Sequence, residues 1–138
     1  MWIGQLFGPM AEQVDYVCPM TYPSHYNKGE YGIPNPNDQP YKTIHLAMHD
    51  ALRMLGPAAA AKLRPYLQDF SLKGRGIRYG KKEVRAQIQA AADLGVNSWT
   101  LWNARCSYTL GAIQTPVVVL PISTGAVIAS TESNTVSK

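Results

Sequence analysis

The segment RGIRYGKKEVRAQIQAAADLGVNSWTLWN, Arg75–Asn103, decides the fold. Within it, KKEVRAQIQAAADLG (Lys81–Gly95) puts Val84, Ile88, Ala91 and Ala92 on one face and the basic residues and glutamines on the other. That spacing predicts an amphipathic helix stopped by Gly95. VNSWTLWN (Val96–Asn103) follows at once. Its apolar and aromatic run predicts a buried strand. The segment therefore reads as a loop, a helix and a strand in immediate succession.

The same grammar holds upstream. VDYVCPMTY (Val14–Tyr22) and KLRPYLQDF (Lys62–Phe70) read as two further strands. Pro19 and Pro65 interrupt their ladders, because proline has no N–H to donate. Between these strands, Tyr41–Leu55 repeats Ile44, Met48, Ala51, Leu52 and Leu55 at helical spacing, with Thr43 as an expected start cap and Gly56 as an end cap. Strand, helix, strand, helix, strand predicts an α/β fold of right-handed βαβ units around a parallel sheet. Functional loops in such folds follow the carboxyl ends of the strands. The first of them, Pro23–Pro40, is long and carries four prolines, and long ordered loops are commonly functional. A brief helix is expected after Tyr108.

Composition bounds the alternatives. The chain has 138 residues, 46% hydrophobic and 16% charged, which fits one globular domain and excludes collagen-like, coiled-coil and low-complexity chains. Thirteen basic against nine acidic side chains give a net charge of +4, which permits an anionic partner without requiring one. Cys18 and Cys106 are too few for a disulfide framework or a paired-ligand zinc site, although one bridge is open to them. The start lacks the basic and apolar regions of a secretory signal. The apolar run Thr115–Ala129 is broken by Pro121 and Gly125 and falls short of the roughly 20 residues of a membrane span.

Three motifs in order carry a family resemblance: PMTYPSHYNKGEYGIPNPNDQPY (Pro19–Tyr41), LRPYLQDFSL (Leu63–Leu72) and the Arg75–Asn103 segment. Through them the chain resembles a glycoside hydrolase-like domain family of uncharacterised function, over roughly residues 2–110. The resemblance implies a (β/α)8 barrel, of which the three strands are similar to the sixth, seventh and eighth. A complete barrel takes about 250 residues, so the expectation is a partial (β/α)8 TIM barrel, about the last three β/α units. Residues 1–114 are assigned to it, and residues 115–138 form an unassigned tail. The resemblance further implies hydrolysis of O-glycosidic bonds in a polysaccharide without an organic cofactor, in a secreted or envelope setting. The competing expectation is a non-catalytic carbohydrate-binding or structural module.

Glycosidases generally use two carboxyl groups, one to protonate the leaving oxygen and one to attack or to activate water. Asp69 closes the second strand in LQDF and is the first candidate. Its competing reading is an Asp that caps the following turn. Glu30, in NKGEYG, is the candidate partner, against a solvated loop glutamate. Asp15 opens a strand and so belongs to the stabilising end of a barrel. Tyr22, His25 and Tyr26, with Trp102 and Asn103, suit a sugar cleft, since aromatic faces cover sugar C–H surfaces and polar groups bond hydroxyls. Trp99, an odd number of residues from Trp102, is expected on the opposite face of its strand.

Other patterns point away from further chemistry. His45 and His49 have the spacing of a zinc helix, but Leu46 stands where its glutamate belongs, and no metal is expected. Cys18 has no ordered base with which to act as a nucleophile. KGRGIRYGKK (Lys73–Lys82) gathers five basic residues around three glycines. Such a run could hold phosphate or an anionic polymer, but it lacks the order of a phosphate-binding P-loop. It reads first as a solvated loop leading into a helix, with an anion-binding role as the weaker alternative and no nucleic-acid partner expected. Two unpaired sheet edges predict association, with a missing barrel half or with a second copy.

Overall fold

A computed structural model describes residues 6–113. The expected tail, 115–138, lies outside them. A small parallel sheet is formed by β1 (Met20–Thr21), β2 (Tyr66–Gln68) and β3 (Thr100–Trp102), in the order β1-β2-β3. Helices α1 (Phe7–Glu12), α2 (Pro40–Leu55), α3 (Lys81–Ala92) and α4 (Leu110–Ile113) complete the mixed α/β chain, with short 3-10 turns between. None of the helices among the described residues is long and apolar enough to cross a membrane.

The strands are shorter than expected, and proline is the reason. Val14–Tyr22 reduces to Met20–Thr21 plus an isolated parallel bridge from Val17 to Leu63. Cys18 therefore lies between the two, outside any strand. Pro19 and Pro65 stand where a neighbour needs only a carbonyl: Tyr66 N donates to Pro19 O and Thr100 N to Pro65 O, each at 2.9 Å. Lys62–Phe70 likewise reduces to Tyr66–Gln68. Val96–Asn103 pairs only from Thr100, opposite the first residue after Pro65, while Val96 itself is buried in the core.

The two main helices pack against each other and against one face of the sheet. Ile44 and Met48 from α2, Val84 and Ile88 from α3, and Leu63 and Leu67 meet in one apolar cluster, all essentially inaccessible to water. Full burial of each such side chain contributes roughly 1.5–3 kcal/mol. Trp99 packs against this cluster. Alternation puts Met20 and Trp102 on the other face, where they are 74% and 46% exposed.

Helix α2 begins with Pro at its first position, where a missing N–H costs nothing. Thr43 is not its cap. It lies within the first turn and its hydroxyl donates back to Pro36 O and Gln39 O, both at 3.0 Å. Gly56 ends α2 at φ 85°, its N–H returning to Leu52 O. Helix α3 begins after Gly80, whose N–H donates to Glu83 Oε2 at 3.0 Å. Its expected apolar face is buried, but that face also contains Gln87, expected among the exposed polar residues. The carboxamide of Gln87 accepts from Gln68 N (2.9 Å) and donates to Gln68 O (2.8 Å), pairing with the last residue of β2 as a neighbouring strand would. Helix α4 is the brief helix expected after Tyr108.

Candidate functional site

A cleft of about 650 Å3 opens beyond the carboxyl ends of β2 and β3. This volume is within the roughly 300–1,000 Å3 typical of ligand sites. Gln68, the residue before the cleft-lining Asp69, is fully buried. The Gln68 side chain accepts from Ser24 N (3.0 Å) and donates to Phe70 O (2.9 Å) and Asn37 Oδ1 (3.3 Å). These bonds fasten the long first loop to the end of β2. One consequence is a closed aromatic set: Tyr22, His25 and Phe70 meet edge to face, with centroids 5.4–6.0 Å apart.

Asp69 lines this cleft but is only 4% exposed. Its backbone N–H extends the sheet ladder to Trp102 O (3.0 Å). Both carboxylate oxygens are engaged by Thr109: Oδ2 accepts from the backbone N–H and Oδ1 from the hydroxyl, each at 2.7 Å. Asp69 thus fixes the residue that precedes α4, rather than capping the turn immediately after β2. A carboxylate has about four acceptor positions, so two remain for a ligand.

Asn103 organises the opposite wall. Its amide nitrogen donates to Asp69 O and to Ser107 O (2.7 Å), and its oxygen accepts from Arg105 N (2.9 Å). Trp102 stands next to it, half exposed and edge-on to Tyr66 at 6.4 Å. The structure therefore brings together Tyr22, His25, Asp69, Trp102 and Asn103 in one cleft.

It does not bring Glu30 or Tyr26 there. Glu30 Oε2 accepts from Asn27 N at 2.9 Å, closing its own turn. Tyr26 sits against Tyr31, centroids 5.9 Å apart. Asp69 is consequently the carboxylate that lines the cleft among the described residues.

Arg78, Tyr79, Arg105 and Thr109 are among the cleft residues that the sequence-based sugar site does not include. Arg78 and Tyr79 belong to the glycine-rich basic loop, which looks solvated along the chain. The loop is in fact tied across the molecule, with Ile77 N donating to Asp38 Oδ1 (2.9 Å), Asn37 Nδ2 to Arg75 O (2.9 Å) and Tyr79 Oη to Asn37 O (3.2 Å). Burial, then the nearby Glu83 and Asp38, pushes the Tyr79 phenol well above its ordinary range. Tyr22 is raised by burial and by Tyr66. Both hydroxyls therefore stay protonated in the cleft near neutrality.

The remaining reactive groups lie elsewhere. His45 stacks on Tyr41 at 5.8 Å and His49 is exposed. Cys18 and Cys106 are free and exposed. No cluster of three or more metal-ligating side chains occurs among the described residues.

No curated protein and no solved structure matches the chain. A family model does match, across residues 1–108, and with its cleft at the ends of parallel strands the chain belongs to the family described as "Putative glycosyl hydrolase domain".

Proposed function

We propose that the chain forms one wall of a glycoside hydrolase active site, with Asp69 as one of its two carboxyl groups and Tyr22, His25 and Trp102 as the sugar-contacting faces. The observation that carries this reading is the convergence of these residues at the carboxyl ends of adjacent parallel strands. That is where (β/α)8 barrels place their chemistry. The open sheet face at Met20 and Trp102, together with outer edges of β1 and β3 that are unpaired among the described residues, is what a partial barrel would present to further strands. Hydrolysis needs a second carboxyl group, which in this reading comes from beyond the described wall. Glu30 is not placed to supply it without rearrangement of its loop.

A polysaccharide assay of reducing-end release, run beside calorimetric binding of an oligosaccharide, tests the proposal. Asp69→Asn should abolish release while oligosaccharide binding persists. Unchanged release would remove Asp69 from the mechanism. The second reading, a sugar-binding module without turnover, is favoured by one observation: Asp69 is already engaged at both oxygens and has no partner acid in the cleft among the described residues. Binding with no release by the unaltered chain, even at high protein concentration, is its expected result.

A further inference from the structure

The free hydrogen-bonding capacity of the cleft is lopsided. Several of its side-chain acceptors are already engaged inside the protein. Asp69 receives Thr109 at both oxygens, Asn103 Oδ1 receives Arg105 N, and Ser71 Oγ receives Tyr79 N at 2.8 Å. Its strongest donors are not spent. Arg78 and Arg105 both line the cleft, and both are exposed. Among the described residues the ion pair is Arg53 with Asp50, on α2, so neither cleft guanidinium has a carboxylate partner.

A neutral sugar presents hydroxyls that both donate and accept, and a site built for it offers both kinds of group. A site with two guanidiniums free of carboxylate partners, whose one carboxylate already holds two donors, favours a ligand that mainly accepts. A planar carboxylate is that ligand, because the arginine fork matches it with two parallel bonds. His25 and Trp102 are exposed and available for the ring, with Tyr22 largely buried behind His25. Positive charge along the chain acts in the same direction, since Lys73 and Arg75 share the loop of Arg78 and Lys81 and Lys82 open α3 directly after it.

Resting on the carbohydrate reading above, we infer that the cleft takes an acidic glycan, a sugar chain bearing carboxylates, with Arg78 and Arg105 holding a carboxylate while Tyr22, His25 and Trp102 cover the ring.

The test is calorimetric binding of the full chain to oligomers of galacturonate, glucuronate and mannuronate. Each is compared with its carboxyl-reduced counterpart, which keeps the linkage and loses the charge. At least one uronate oligomer should bind about tenfold or more tightly than its reduced form. Arg78→Gln and Arg105→Gln should each remove about a tenfold share of that affinity and weaken the reduced form far less. Both side chains are exposed, so the fold is not at stake, and melting curves verify this. Equal or tighter binding of the reduced oligomers would overturn the acidic-glycan inference and leave the carbohydrate reading standing. Polyglutamate binding as tightly as the uronates would show that charge alone is recognised, overturning both. Binding of neither kind of oligomer would also overturn both.

Discussion

Thr109 delivers both of its donors to Asp69, a residue 40 positions earlier, with its N–H on one carboxylate oxygen and its hydroxyl on the other, each at 2.7 Å. A candidate catalytic acid is thereby also the strut that holds the start of α4 against the end of β2. The two roles are separable. Thr109→Val keeps the shape and the backbone bond but leaves one oxygen of a buried carboxylate without its donor. A loss of about 1–3 kcal/mol in urea unfolding is expected. Thr109→Ser, which retains the hydroxyl, should recover most of it. A loss for Thr109→Ser with none for Thr109→Val would assign the effect to packing of the threonine methyl group instead.

The pairing of Gln87 with Gln68 is a second strut. Helix α3 uses a side-chain amide to close the N–H and C=O at the end of a strand that β1 is too short to cover. Gln87→Leu fills the same volume and leaves both backbone groups buried and unpaired. The expected cost is at least about 2 kcal/mol, since each orphaned group costs about 1–3 kcal/mol. Chemical denaturation measures it, and a change under half of that would mean that water or another side chain takes over the role.

Why the sequence conceals this pairing explains how much else it conceals. Apolar spacing made α2 and α3 legible almost to the residue, and strand composition located all three strands, because burial of a repeated face is a local property of the chain. Strand length was not legible. It depends on whether the partner strand can donate opposite each residue, and Pro19 and Pro65 act on their neighbours as much as on themselves. A glutamine in a helix reads as surface, so Gln87 became visible only once Gln68 was known to lie beneath it. At the site, the strand-end rule found Asp69, Trp102 and Asn103. Arg78 and Tyr79 were hidden because a glycine-rich basic loop looks solvated until its bonds to Asn37 and Asp38 are known. Glu30 and Tyr26 were drawn into the candidate set by proximity along the chain to Tyr22, and the turn closed by Glu30 keeps them out of the cleft.

Gly76 is where that loop is most exposed to damage. It holds φ at 117°, and a methyl group there would clash with Asp38 Oδ1 and come within 2.8 Å of Asn35 Nδ2. Asp38 Oδ1 is the acceptor for Ile77 N. Gly76→Ala should therefore combine backbone strain of about 1–3 kcal/mol with the loss of this tie. Trypsin, which cuts after Arg75 and Arg78, should nick the variant faster than the unaltered chain under native conditions. Unchanged cleavage kinetics would show that the loop accommodates the methyl group without releasing its anchor.

Tyr79 predicts how the fold responds to alkali. Burial is the main reason its phenol is held above the ordinary value of 10.0, with Glu83 and Asp38 adding to it. Above about pH 10 the unfolded chain gives up this proton while the folded chain keeps it. The unfolded state then binds fewer protons, so the stability due to Tyr79 is complete below about pH 10 and declines as pH rises beyond it. Tyr26 is raised by burial in the same direction and shares the decline. Tyr79→Phe isolates one contribution. At pH 8 the variant should be less stable by about 1 kcal/mol, for the lost bond to Asn37 O. Between about pH 10 and 11.5 the gap between the two proteins should close, because phenylalanine has no proton to lose. Urea unfolding of both proteins across this range measures the gap. A gap constant with pH would mean that the buried phenol ionises in the fold as readily as in the open chain.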